Sequence, residues 1–313
     1  MSIFGSKKFT DLIRKDLNLD HKALIASLPA EQRARMLEKS DAAGLMHLAV
    51  HWGLIALIGW LIMIGAPGWQ ALLIVQGLLI IFCFTLLHET THKTPFASLW
   101  LNETVMHVCG FLVILTPEYF RYFHFAHHRY TNDPDKDPEL EGEKTLSWGG
   151  YLWRVTGLPI WATHFKQLLK NATGRADDGF LPEGRKFRVR TEAQIMVMLY
   201  GVIIVLLANG HFWLFWCWLA PAILGQPFLR LYLMAEHGRC PPVANMLENT
   251  RTTFTNRIIR WLAWNMPYHA EHHAWPTVPF HKLPEFHKIA KPHLRTTSNG
   301  YVEFHRDFTG DLT

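Results

Sequence analysis

Apolar residues gather in four long stretches separated by polar arms. Leu48 to Ile64 is apolar almost throughout and stops at Ala66-Pro67-Gly68, a turn signal. Trp69 to Leu87 follows at once, about 19 residues and close to the ~20 that cross a bilayer core. A second pair, Ala193 to Ala208 and His211 to Met234, is parted only by Asn209-Gly210. Each pair predicts a helical hairpin with a very short connection. Val105 to Leu115 is apolar but too short to span, and predicts a re-entrant or interfacial helix ended by Thr116-Pro117. Leu152 to Leu169, with Trp153 and Trp161 beside Arg154, Lys166 and Lys170, predicts a helix along the membrane surface. Strand-like alternation is weak and no internal repeat stands out. The expected fold is all-α and membrane-integral: four transmembrane helices in two hairpins with a cytosolic helical cap. The expected divisions are an N-terminal arm over 1–45, a membrane-bound domain over 46–293 and a tail over 294–313.

Composition supports the bilayer reading. Apolar residues make up 49% and charged ones 18%, below the roughly 25% usual in soluble domains. Aromatics reach 13%, as suits rings that settle at a membrane–water interface. Mean hydropathy is only +0.04 because polar arms dilute the apolar stretches. The first 45 residues lack an apolar h-region, so no cleavable signal is expected and the first apolar stretch directs insertion. Neither hairpin tip holds a Lys or Arg; the N-terminal arm, the segment 121–190 and everything from Arg239 onward hold nearly all of them. The positive-inside rule then puts the tips outside and both termini in the cytosol. A soluble bundle of apolar helices would not need that asymmetry. Cys83, Cys109, Cys217 and Cys240 form no C-x-x-C pair, which removes zinc ribbons, redox dithiols and a disulfide framework.

The 19 histidines carry the chemistry. His88-Glu89-Thr90-Thr91-His92 follows the second apolar stretch, and residues four apart share a helix face. His124-Phe125-Ala126-His127-His128 and His269-Ala270-Glu271-His272-His273 again put imidazoles on one side of a turn. All three fall on the expected cytosolic side; His47 and His51 read as interfacial decoration. The first cluster is also H-E-x-x-H, the zinc protease motif with Glu89 as base, so a membrane protease competes. Such a site needs three protein ligands, which leaves the other two clusters without a role. A ferritin-like di-iron site wants two E-x-x-H motifs, and only Glu89-x-x-His92 is present. Eight clustered imidazoles exceed one ion's needs and argue for two. Imidazole suits Fe, Zn, Cu and Ni. Redox iron beside a membrane would have a purpose: taking hydrogen from an unactivated C–H bond.

The order H-x-x-x-H, H-x-x-H-H, H-x-x-H-H across paired hairpins resembles the membrane-bound fatty acid desaturase and hydroxylase superfamily. His124 to Leu140 (HFAHHRYTNDPDKDPEL) is similar to its second box, and Asn265 to His287 (NMPYHAEHHAWPTVPFHKLPEFH) to its third. The likeness spans about Leu48 to His293. It implies two non-haem irons held by His88, His92, His124, His127, His128, His269, His272 and His273. His237 matches an extra histidine that often completes the set. Glu89, Asn132, Asp133, Asp137, Asn265 and Glu271 are the expected partners that orient imidazole N–H groups. No His-Pro-Gly-Gly stretch is present, so electrons are expected from a separate ferredoxin, rubredoxin or cytochrome b5-type donor, drawn in by the basic face. The resemblance implies O2-dependent oxidation of a lipid chain. Fatty acyl desaturation leads, and hydroxylation or ketolation of an alkyl lipid, alkane or carotenoid is the alternative. No nucleic-acid partner is expected.

Overall fold

The computed structural model describes residues 19–140 and 147–313; the basic residues Lys7, Lys8, Arg14 and Lys15 of the expected N-terminal arm lie outside them. The described residues are helical almost throughout. In chain order the helices are α1 (His21–Ser27), α2 (Ala30–Met36), α3 (Asp41–Met63), α4 (Trp69–Ile81), α5 (Cys83–Thr91), α6 (Leu99–Leu112), α7 (Pro117–Tyr130) and α8 (Trp148–Val155). They continue as α9 (Leu158–Ala172), α10 (Lys186–Ala208), α11 (Ala220–His237), α12 (Met246–Asn249), α13 (Arg257–Leu262), α14 (His269–Ala274), α15 (Leu283–Ala290) and α16 (Tyr301–Thr309). Weak alternation yields only two two-residue strands, β1 (Thr252–Thr253) and β2 (Thr297–Ser298), paired in parallel.

Three helical runs are long and apolar enough to cross a membrane: Ala30–Met63, Trp69–Thr91 and Glu183–Ala208. The first hairpin turns through Gly65 and Gly68, both at positive φ, and the second through Gly210 at φ +88°. A side chain at these φ values is strained, so the turn signals carried real information. The fourth expected stretch enters as a π-helical segment, Phe215–Leu219, and continues as α11. It holds Gln226 and Arg230 and is less apolar than the other three. Pro221 has no N–H to return to the Cys217 carbonyl. The Gln76 side chain donates to that carbonyl instead, at 3.0 Å, and also to the Ile55 carbonyl at 3.2 Å. One buried amide thus ties three helices.

Glycine sets how α4 meets α11. A methyl added at Gly77 would lie 2.3 Å from the Pro221 carbonyl oxygen, and one at Gly225 2.3 Å from that of Gly77. The two backbones therefore touch, as small residues allow between membrane helices. His88 lies 11 residues past Gly77 and His237 12 past Gly225. Each helix rises about 1.5 Å per residue, so both histidines reach nearly the same depth.

The short apolar stretch at Val105–Leu115 is the end of α6, which bends by 99° into α7. Gly110 makes room for the fold-back, since a Cβ there would meet Pro117 Cγ at 2.4 Å. The single surface helix expected over 152–169 is instead two, α8 and α9, broken at Gly157 (φ +72°) where the Gln226 side chain fills the space of a Cβ. His47 and His51 are not decoration. Trp264 Nε1 donates to His51 Nδ1 at 3.2 Å, so His51 Nε2–H donates to the Leu79 carbonyl at 2.8 Å, while His47 Nε2 bonds the Trp261 carbonyl. They clamp α3 to α4 and to the segment just before the third histidine box. The main core joins Leu24 and Met36 of the arm to Leu86, Leu87, Trp264 and Phe286.

Candidate metal centre

Helix periodicity builds the site one element at a time. His88 and His92 stand a turn apart at the end of α5; His124, His127 and His128 share one side of α7; His237 ends α11; His269, His272 and His273 fill the short helix α14. Tertiary packing brings all nine together. Ligand atoms of His88, His92, His124, His128 and His272 lie within 4.8 Å of one another, as do those of His127, His237 and His273. His269 joins the second group, its Nε2 3.0 Å from His237 Nε2. His92 Nε2 stands 2.9 Å from His124 Nε2, and His127 Nε2 3.1 Å from His237 Nε2.

These residues fit metal ions. Both ring nitrogens of His88, His128 and His272 are buried without a hydrogen-bond partner, and so is His273 Nε2. Each bare buried nitrogen costs about 1–3 kcal/mol unless something fills its lone pair. Nitrogens held about 2.1 Å from one ion at right angles sit about 3.0 Å apart, which is the spacing seen. An all-imidazole donor set suits iron, zinc, copper or nickel. Burial, reinforced by neighbouring imidazoles, holds His269, His272 and His273 well below the ordinary histidine range. The rings are therefore neutral, the form that binds metal.

Carboxylates stand behind several rings. His127 Nδ1–H donates to Asp137, at 2.9 and 3.2 Å from its two oxygens. Asp137 is in turn held by the Asn132 and Glu139 backbone N–H groups. This turn is what the acidic tail of the second box builds, and it leaves His127 Nε2 free for an ion. Glu89 Oε1 lies 3.7 Å from His272 Nδ1, while its Oε2 accepts from Thr94 and from the Phe280 backbone N–H. The carboxylate thus faces the Nδ1 side of a clustered imidazole and is pinned from behind, unlike a protease base that must face a metal-bound water. Asn132 bonds the Asn249 carbonyl and Asn265 the Phe280 carbonyl. Asp133 braces its own turn, and Glu271 bonds Thr252 and His287. None of these last four makes a side-chain hydrogen bond to a clustered ring among the described residues.

Three contributors were not singled out from the sequence. Glu236 Oε1 lies 3.5 Å from His269 Nδ1, and Glu139 Oε2 lies 3.7 Å from His127 Nδ1. Thr131 Oγ1 donates to the His127 carbonyl and stands 3.2 Å from His273 Nδ1, which donates to it. Glu236 precedes His237 and Thr131 follows the second box by three, so proximity to a box was the available signal.

Apolar helices that end in a buried, all-imidazole cluster define an integral membrane protein built to bind metal. The chain belongs to the fatty acid desaturase family: the model described as Fatty acid desaturase matches residues 66–305, an oxidoreductase family of lipid metabolism. The chain is 26% identical over 220 residues to the sphingolipid delta(4)-desaturase DES1 of Drosophila melanogaster, covering 65% of this chain and 60% of that protein. It is 25% identical over 262 residues to the dihydrorhizobitoxine desaturase of Bradyrhizobium elkanii, covering 70% and 65%. The chain thus spans a little under two thirds of the length of these relatives.

Proposed function

We propose that the protein desaturates a lipid acyl chain with O2 at a two-iron centre, its electrons arriving from a separate ferredoxin, rubredoxin or cytochrome b5-type donor. The observation that carries this reading is the convergence of nine histidines whose buried nitrogens lack protein partners. His88, His92, His124, His128 and His272 would hold one ion, and His127, His237, His269 and His273 the other. The bound pair supplies an oxidant able to take hydrogen from an unactivated C–H bond. The protein's own residues keep the imidazoles neutral, aim Nε2 of His127 through Asp137, and exclude water by burying the rings. The chain loses two hydrogens; with two electrons and two protons from the donor, O2 leaves as two waters. Both printed relatives are named as desaturases, which favours an alkene over an alcohol.

Orientation belongs to the same reading. α5, α7, α11 and α14 all bring histidines to one place, so these ends share a side of the membrane. The bent pair α6–α7 starts soon after His92 and ends at His128, which supports a segment that dips in and returns. With basic arms on that side, the site and both termini face the cytosol, and α11 completes the fourth crossing.

The test pairs metal analysis of detergent-purified protein with lipid profiling of cells carrying the wild type or His127→Ala. Two irons per chain and new unsaturated chains in the wild type alone are expected. One zinc per chain, or full activity in His127→Ala, overturns the reading.

A further inference from the structure

A groove of about 750 Å³ runs between α6 and α10, walled by Phe111, Ile195, Met196 and Leu199 and ended by His107, Arg188 and Glu192. That volume lies within the range of small-molecule sites. No clustered histidine lines it, so it is separate from the metal centre. Its walls resemble any lipid-facing surface, but its polar end does not. Glu192 is only 9% exposed. Its Oε2 accepts the Glu118 backbone N–H at 2.9 Å, while its Oε1 has no hydrogen-bond partner. His107 Nε2 lies 3.8 Å from that bare oxygen, too far for a hydrogen bond. His107 Nδ1 is 2.6 Å from the Glu103 carbonyl, which only accepts, so Nδ1 carries the proton and the neutral ring shows the groove a lone pair. Two acceptors thus face each other with no donor between them. Arg188 does not fill the role, because it pairs with Glu103 and Glu118.

We propose that this groove binds one lipid chain whose polar end carries a hydroxyl or amide donor, seated between Glu192 and His107. The apolar walls accept any chain; the paired acceptors select the head. A phosphatidylcholine, which has no donor, would leave both acceptors bare. The same Glu192 carboxylate holds the first turn of α7, the helix of His124, His127 and His128, so occupancy bears on how that helix is seated.

The full-length protein in phosphatidylcholine nanodiscs is photolabelled with an N-acyl ethanolamine carrying a diazirine in its chain, and in parallel with a diazirine phosphatidylcholine. Expected is saturable labelling of Ile195 and Leu199 by the first probe, roughly five- to tenfold over the second, the worth of about one hydrogen bond. In Glu192→Gln the amide oxygen keeps the Glu118 N–H, and its NH2 replaces the bare acceptor. Labelling by the ethanolamine should then fall to the phosphatidylcholine level. Leu199→Trp, at an exposed wall position, should block both probes and keeps the test open if Glu192→Gln does not fold. Equal labelling by both probes, unchanged in Glu192→Gln, overturns the proposal, as does an unlabelled groove. Because the readout is binding, it stands apart from the outcome at the metal centre.

Discussion

At the scale of single residues, the site rests on imidazoles kept neutral and aimed. Asp137→Asn keeps the size of the side chain but removes the charge that accepts the His127 Nδ1–H and two backbone N–H groups. Metal retention should weaken about 10- to 100-fold, read by competition with a chelator, while the helical content stays unchanged. Acid should act on the metal-free protein in a defined direction. His269, His272 and His273 have folded pKa values below the unfolded 6.5, so the unfolded chain binds more protons wherever pH is under 6.5. Stability is complete above that value and is lost as pH falls below it, by up to about 1.4 kcal/mol per pH unit for each histidine. Melting temperatures of the metal-stripped protein between pH 7.5 and 5 check this; a flat profile would contradict it. The residue scale also explains what was hidden. Glu236 and Glu139 are ordinary acidic residues until the fold brings them to His269 and His127.

At the scale of elements, the helices serve as rulers. The α4–α11 contact at Gly77 and Gly225 sets the level at which His88 and His237 arrive. Gly77→Ala forces a methyl against the Pro221 carbonyl, a backbone atom that cannot turn aside. Overpacking of this kind costs about 1–3 kcal/mol, and here it should also lower the metal content by parting the two histidines. Gly201→Ala in α10 meets nothing within 4 Å and serves as the control, with stability unchanged or slightly raised. Thermal melts with metal analysis of the two variants separate a packing effect from a general intolerance of alanine. The break at Gly157 and the 99° bend after α6 follow the same logic, each placed where a glycine yields to a neighbour.

At the scale of the whole molecule, the prediction concerns sidedness. In a background without its own cysteines, a cysteine at Asn209 should react with a membrane-impermeant maleimide added outside intact cells. A cysteine at Asp133, beside the site, should react only after the membrane is opened. The reverse pattern would invert the proposed topology. The main core runs from Leu24 to Phe286, so arm, membrane helices and the third histidine box depend on one another.

The amino-acid sequence alone determined the class. Apolar run lengths, glycine turns and box spacing are local properties, which is why the helical fold, two hairpin connections and three sets of same-face imidazoles were legible from it. His237 was legible only by resemblance, because a single histidine has no periodicity to set it apart. Tertiary structure alone decided how the histidines divide into five and four, since ligands 110 or more residues apart, such as His127 and His237, meet only through the helix packing. It also decided that Asp137, Glu89 and Glu236 stand nearest the rings, whereas Asn132, Asp133, Asn265 and Glu271 bond elsewhere. A carboxylate's partner depends on where neighbouring backbones go, and no spacing along the chain encodes that.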